Sequence, residues 1–121
     1  MPFTVRFGIP EMETFWNDLC TRYHSDNLNK VESEFFKKLV KALNHLGNNP
    51  FHPGLESHEI TGLTRVFGQK IFESYLENKC PSARRFFWAY GPGRGEISIL
   101  VVEQHPNKAK DYSRVRLSRF P

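Results

Sequence analysis

Cysteine is scarce in this sequence: two residues, Cys20 and Cys80, in 121. Two thiols are too few for a disulfide-stapled scaffold, and both are expected as unpaired thiols in a reducing compartment. Long apolar runs are also missing. No stretch approaches the roughly 20 consecutive apolar residues that a membrane helix needs. Met1 to Pro10 lacks a basic segment followed by an apolar run and a small-residue cleavage site, so export is not expected and a cytoplasmic location is. No Gly-x-Ser-x-Gly, His-Glu-x-x-His or paired-carboxylate motif occurs, which removes the support for conventional hydrolases. His52 and His58 lie among Glu56 and Glu59, but a His-x5-His spacing fits no standard zinc pattern and neither cysteine supplies a second ligand pair. No metal and no cofactor are expected.

Aromatic residues, by contrast, are plentiful. Phe, Tyr and Trp make up 14% of the chain and all apolar types 39%, enough to bury a core in a single domain spanning residues 1–121. Charge is uneven along the chain. Residues 1–83 hold nine Lys/Arg against ten Asp/Glu, a balance of −1, whereas residues 84–121 hold eight against three, a balance of +5. A basic excess confined to the last third suits a phosphate backbone, and equally suits a solvated tail.

Periodicity divides the chain in two. Phe3 to Phe7 alternates as a strand. Pro10 can open a helix whose apolar positions are Met12, Phe15, Trp16, Leu19, Cys20 and Tyr23, with Glu11 and Glu13 in its first turn. Asn29 and Glu32 have capping-box spacing, and Val31, Phe35, Leu39, Ala42, Leu43 and Leu46 form the stripe of a second helix, with Gly47 as its expected C-cap. After a loop at Asn48–Gly54, residues 70–76, 85–90 and 97–102 read as strands rich in aromatic and β-branched residues. Gly91-Pro-Gly-Arg-Gly95 joins the last two as a hairpin turn; it lacks the Lys-Ser/Thr of a phosphate loop and precedes no helix. The expected fold is α+β, with an N-terminal strand and a two-helix hairpin on one face of a small antiparallel sheet. The other face is expected to be open and basic-edged, a platform for single-stranded RNA.

Chemistry-bearing residues gather at the strand ends. Arg85 opens one strand and His105 closes the next, so the antiparallel hairpin should make them neighbours. Tyr112 lies among Lys108, Lys110, Arg114 and Arg116. A phosphodiester between Arg85 and His105 would meet a fixed cation and an imidazole able to transfer protons near neutral pH. A single His followed by Pro is usually an ordinary loop residue, and composition alone favours that reading.

Residues 35–112 resemble the RelE/ParE toxin superfamily in the order of their features. These are the Lys-rich helix Phe36-Lys-Lys-Leu-Val-Lys-Ala-Leu43, the loop with Asn49-Pro50, Gly54-Leu-Glu-Ser-His-Glu-Ile60 with Gly62-Leu63, an Arg leading an aromatic strand, an apolar strand ending near His105, and then Tyr112. Residues 1–30 are longer than is usual in that family. The resemblance implies a toxin of a type II toxin–antitoxin pair, neutralised by a cognate protein antitoxin and acting on mRNA at the ribosome. In that scheme the RNA 2′-hydroxyl attacks its own phosphate without a metal. Arg85, His105 and Tyr112 would be catalytic, and Lys70, Lys108, Lys110, Arg114 and Arg116 would hold RNA. Lys70 matches a family basic residue loosely, and Phe72 stands where some members have a second lysine. Other relatives poison DNA gyrase without cleaving RNA, and a plain RNA- or ribosome-binding module keeps the same basic surface.

Overall fold

The structure is a computed structural model and describes residues 2–77 and 83–103. Its elements, in chain order, are β1 (Thr4–Phe7), α1 (Pro10–His24), α2 (Lys30–Asn48), β2 (His58–Glu59), α3 (Thr61–Phe67), β3 (Phe72–Tyr75), β4 (Arg85–Tyr90) and β5 (Glu96–Val102), with one 3-10 turn at Pro53–Leu55. The α+β class follows.

Local signals explain both long helices. Pro10 occupies the first turn of α1, where a missing N–H costs nothing, and Glu11 and Glu13 face the positive end of the dipole. Asn29 accepts a bond from the Glu32 N–H while the Glu32 carboxylate accepts from the Asn29 N–H, completing the expected capping box on α2. Gly47 does not end this helix, which runs on to Asn48. A Cβ at Gly47 would lie 3.3 Å from the Phe3 carbonyl, so the missing side chain lets the helix end approach β1, where the Phe3 N–H donates to the Gly47 carbonyl at 2.7 Å.

The five strands form one sheet in the order β1-β5-β4-β3-β2. Strands β3 to β5 pair antiparallel as expected, and β2, a strand not expected from the sequence, pairs antiparallel to β3; β1 pairs parallel to β5, with Val5 opposite Ile97, so the sheet is mixed rather than antiparallel. The physical reason is α1 and α2, which carry the chain away from β1 and leave its edge to the last strand. Both helices pack on one face: Leu19, Phe35, Leu39 and Leu46 meet Phe72, Phe86, Trp88, Ile97 and Ile99. The opposite face is not an open platform. Ile60 and Leu63, at the start of α3 and within it, join Ile9 over Ile71, Phe87, Ala89 and Leu100 in a second apolar cluster, which is why β3 and most of β4 are buried on both faces. Among the described residues no helix is long and apolar enough to cross a membrane.

Candidate functional site

The strand ends bring charges together where local sequence does not. Arg85 starts β4 opposite Tyr75 on β3, and His58 on β2 lies opposite Glu73. Glu73, Tyr75, Arg85 and Phe87 fall on the face that α3 partly covers, by the two-residue alternation of strands. Glu103 reaches this face because β5 is bulged. Phe87 pairs with Val101 but Trp88 pairs with Ile99, so one extra residue re-phases the strand. Without that bulge the Glu103 side chain would point toward the helices.

Arg85 is 2% exposed and held on both edges. Its Nη1 donates to Glu73 Oε2 at 2.7 Å; Nε and Nη2 donate to the two Glu103 oxygens at 2.8 and 2.9 Å, a bidentate pairing. Glu73 is completely buried, whereas the Glu103 side chain is 17% exposed, so Glu103 forms the solvent side of the group. His58, with a 40% exposed side chain, sits with Nε2 at 2.9 Å from Glu73 Oε1, and its Nδ1 lies 2.9 Å from the Glu56 carbonyl. That Nε2 contact lacks hydrogen-bond alignment, so among the described residues Oε1 has no aligned donor. Burial, and secondarily the Glu73 carboxylate, pushes the Tyr75 phenol above its ordinary range. The cluster therefore offers a guanidinium, an accessible imidazole and a phenol around two carboxylates.

Beside it, Arg84 donates to Glu77 through its backbone and its guanidinium, and Lys38 of α2 reaches the same carboxylate at 2.9 Å. The Arg84 bonds are the main cause that holds the Glu77 carboxyl down at about 2.

Of the residues expected at the site, Arg85 lies at this strand end. Lys70 is exposed and lies before Phe72, the end of β3 away from Tyr75, which is the residue opposite Arg85, so it does not join Arg85. His105, Tyr112, Lys108, Lys110, Arg114 and Arg116 lie outside the described residues. The β5 chain reaches Glu103, whose N–H donates to the Arg85 carbonyl at 2.9 Å. His58, Glu73, Tyr75 and Glu103 were not singled out from sequence as site residues. The one available signal was an unpaired-looking glutamate inside an apolar strand, Ile71-Phe-Glu-Ser-Tyr75.

The two histidines flanking the Pro53–Leu55 turn go separate ways. His58 joins the Glu73 cluster, whereas His52 stacks on His45 with centroids 3.9 Å apart and its Nδ1 accepts from the Gly54 N–H. Desolvation, then the charges of His52 and Lys41, lowers the pKa of His45 from its usual 6.5. The unfolded chain thus takes up its proton at higher pH than the folded one. Stability should be fully present above about pH 6.5 and fall as pH drops through that value. Urea denaturation at pH 7.5 and pH 5 checks this: His45→Gln should lose less stability between the two conditions than the parent chain.

No family model matches this sequence, and comparison with curated proteins and with solved structures finds no match either.

Proposed function

We propose that this chain is a toxin of the RelE/ParE kind, a metal-independent endonuclease for ribosome-bound mRNA that a protein antitoxin holds in check. The observation that supports it most is the position of Arg85: a guanidinium at the start of β4, beside the end of β5 that leads toward His105, with His58 across the neighbouring strands. The basic balance of residues 84–121 adds the attraction for phosphate that such a substrate requires. In the proposed reaction a base, His105, removes the proton of an RNA 2′-hydroxyl. The alkoxide attacks the adjacent phosphorus, the bond to the 5′ oxygen breaks, and that oxygen takes up a proton. The products are a 2′,3′-cyclic phosphate and a 5′-hydroxyl. Arg85 stabilises the charge that develops on the phosphate, and Tyr112 orients substrate or shares in proton transfer. To do so Arg85 exchanges Glu103 for the phosphate, and the partial exposure of that carboxylate gives it a route into solvent.

A second reading, a non-enzymatic inhibitor of the gyrase-binding kind or a plain RNA- or ribosome-binding module, needs no phosphate at Arg85 and is favoured by the ion pairs of that residue. Arg85 already faces two carboxylates, one positive charge against two negative, so phosphate gains less there than at a bare guanidinium.

Mapping of RNA 5′ ends in cells producing the chain separates the readings. On the first, new ends appear within translated transcripts, and His105→Gln reduces them by about 10²–10⁴-fold with ribosome binding retained. Arg85→Lys, which keeps the charge but loses the bidentate fork, also lowers cutting. Intact transcripts with inhibited supercoiling favour gyrase; intact transcripts with unimpaired growth leave a binding module.

A further inference from the structure

The side chains that hold Arg85 differ in their freedom to leave it. Glu73 grips Nη1 from within the sheet at 2.7 Å, and the Phe87 ring lies under the guanidinium, its centroid 5.7 Å from Cζ. Both are completely buried, so neither has water to turn toward. Glu103 differs. Its side chain is 17% exposed, while its backbone N–H donates to the Arg85 carbonyl at 2.9 Å. Rotation about its side-chain bonds alone frees the carboxylate, with both strands left in place.

The edge that Glu103 covers is the one an anion needs. Nε and Nη2 lie side by side on one edge of the planar guanidinium, and each donates to one Glu103 oxygen, at 2.8 and 2.9 Å. Two parallel donors of this kind accept two phosphate oxygens as well as two carboxylate oxygens. Glu103 thus stands where a phosphate would stand. With Glu103 turned away, one carboxylate remains, and it sits on Nη1, where it fixes the fork rather than blocks it.

We propose that Glu103 is an internal competitor for the anion site of Arg85, so that the chain is self-inhibited until phosphate oxygens displace this carboxylate. The proposal rests on the reading of Arg85 as the residue that stabilises the phosphate, and adds to it a gate built into β5 and its extension. Glu73 and Phe87 keep the fork in one orientation whether the gate is closed or open. The observed association constant for an anion is then that of the open site multiplied by the fraction of molecules with Glu103 turned away. Removing the Glu103 charge raises that fraction. A gain of binding follows, which the loss of an ion pair with only a structural role would not give.

The test titrates the full chain with inorganic phosphate at constant ionic strength and follows the Arg85 Nε–H resonance by NMR. Glu103→Gln keeps the shape and removes the charge; it should bind phosphate at least about tenfold more tightly than the parent chain. Glu103→Asp keeps the charge but falls one methylene short of the fork, so its affinity should lie between the two; it carries the test if the amide variant does not fold. Glu34→Gln removes the same charge from an exposed position on α2 and should change affinity by no more than about twofold. Arg85→Lys/Glu103→Gln should lose the gain, because lysine has no fork. Binding by the Glu103 variants no tighter than by Glu34→Gln, or no phosphate binding by any of these proteins, would overturn the proposal. Mapping of RNA 5′ ends, run on the same variants, keeps the two readings apart. A phosphate gain with no new RNA ends supports the gate and sinks the endonuclease. New ends that depend on Arg85, without a phosphate gain, support the endonuclease and sink the gate.

Discussion

Arg85→Met should lower unfolding stability by about 3–5 kcal/mol, the range for removing one member of a buried ion pair. The loss comes less from the missing attraction than from what stays behind. Glu73 is completely buried, and its Oε2 accepts from Arg85 Nη1 at 2.7 Å. Without the guanidinium that buried carboxylate, beside Phe87 and Tyr75, faces the partly exposed His58 imidazole, 2.9 Å from its Oε1, in place of a fixed cation. Glu103 is partly exposed and can turn toward water. The double variant Arg85→Met/Glu73→Leu, which removes both buried charges, is therefore expected to recover most of the loss. Urea denaturation of the two single variants and the double variant measures the coupling; losses that simply add would show that Arg85 and Glu73 do not act as a pair. The same cycle explains why Arg85→Lys is the better probe of RNA cleavage than a neutral replacement.

The second large effect is expected at Trp88, which is fully buried on the opposite face of the same strand. Its ring stacks on Phe72 at 4.6 Å and meets the edge of Tyr90 at 5.1 Å. Its indole N–H donates to Ser74 Oγ at 2.8 Å. The hydroxyl proton of Ser57 goes to the Pro50 carbonyl at 2.6 Å, so in the 2.6 Å contact between the two serines Ser74 is the donor. A directed chain of bonds thus runs from Trp88 through Ser74 and Ser57 to Pro50, tying the loop after α2 to the middle of the sheet. Trp88→Ala should cost about 3–5 kcal/mol through loss of buried ring area and the cavity left. Trp88→Phe keeps most of the ring and should cost about 1–2 kcal/mol, chiefly the bond to Ser74. Thermal unfolding by calorimetry distinguishes them, and an alanine variant as stable as the phenylalanine one would show that packing at this position is unimportant.

Helices α1 and α2 and strands β3 to β5 were legible because their periodicities are long and their boundaries carry caps, prolines and glycines. Helix α3 was not. Thr61-Gly-Leu-Thr-Arg-Val-Phe67 is short, β-branched and glycine-bearing, and Leu63 is its one fully buried residue, so the segment has little amphipathic pattern to read. It forms because Ile60 and Leu63 find the apolar back of the sheet, a tertiary gain invisible locally. The direction of β1 was hidden for a related reason: Val5 and Ile97 are partners across almost the whole chain. At the candidate site, Arg85 was found because it opens an aromatic strand next to a hairpin. Its carboxylate partners were not, because Glu73 reads as a misfit in β3 until Arg85 and His58 stand beside it, and Glu103 faces Arg85 only through a bulge that no motif announces.

The strand order also has a kinetic consequence. The central position between β1 and β4 belongs to β5, whose residues are made last among the described elements. During synthesis the helical hairpin and the β2–β3–β4 portion emerge first, with the apolar floor under β5 still uncovered and β1 without β5, its neighbour among the described strands. Closing the loop from β1 to β5 is a high-contact-order step, so it sets a slow, late stage of folding. A nascent chain stalled before Glu96 would expose two sheet edges that the finished domain joins through β5, and in that state it would be most prone to association with other chains.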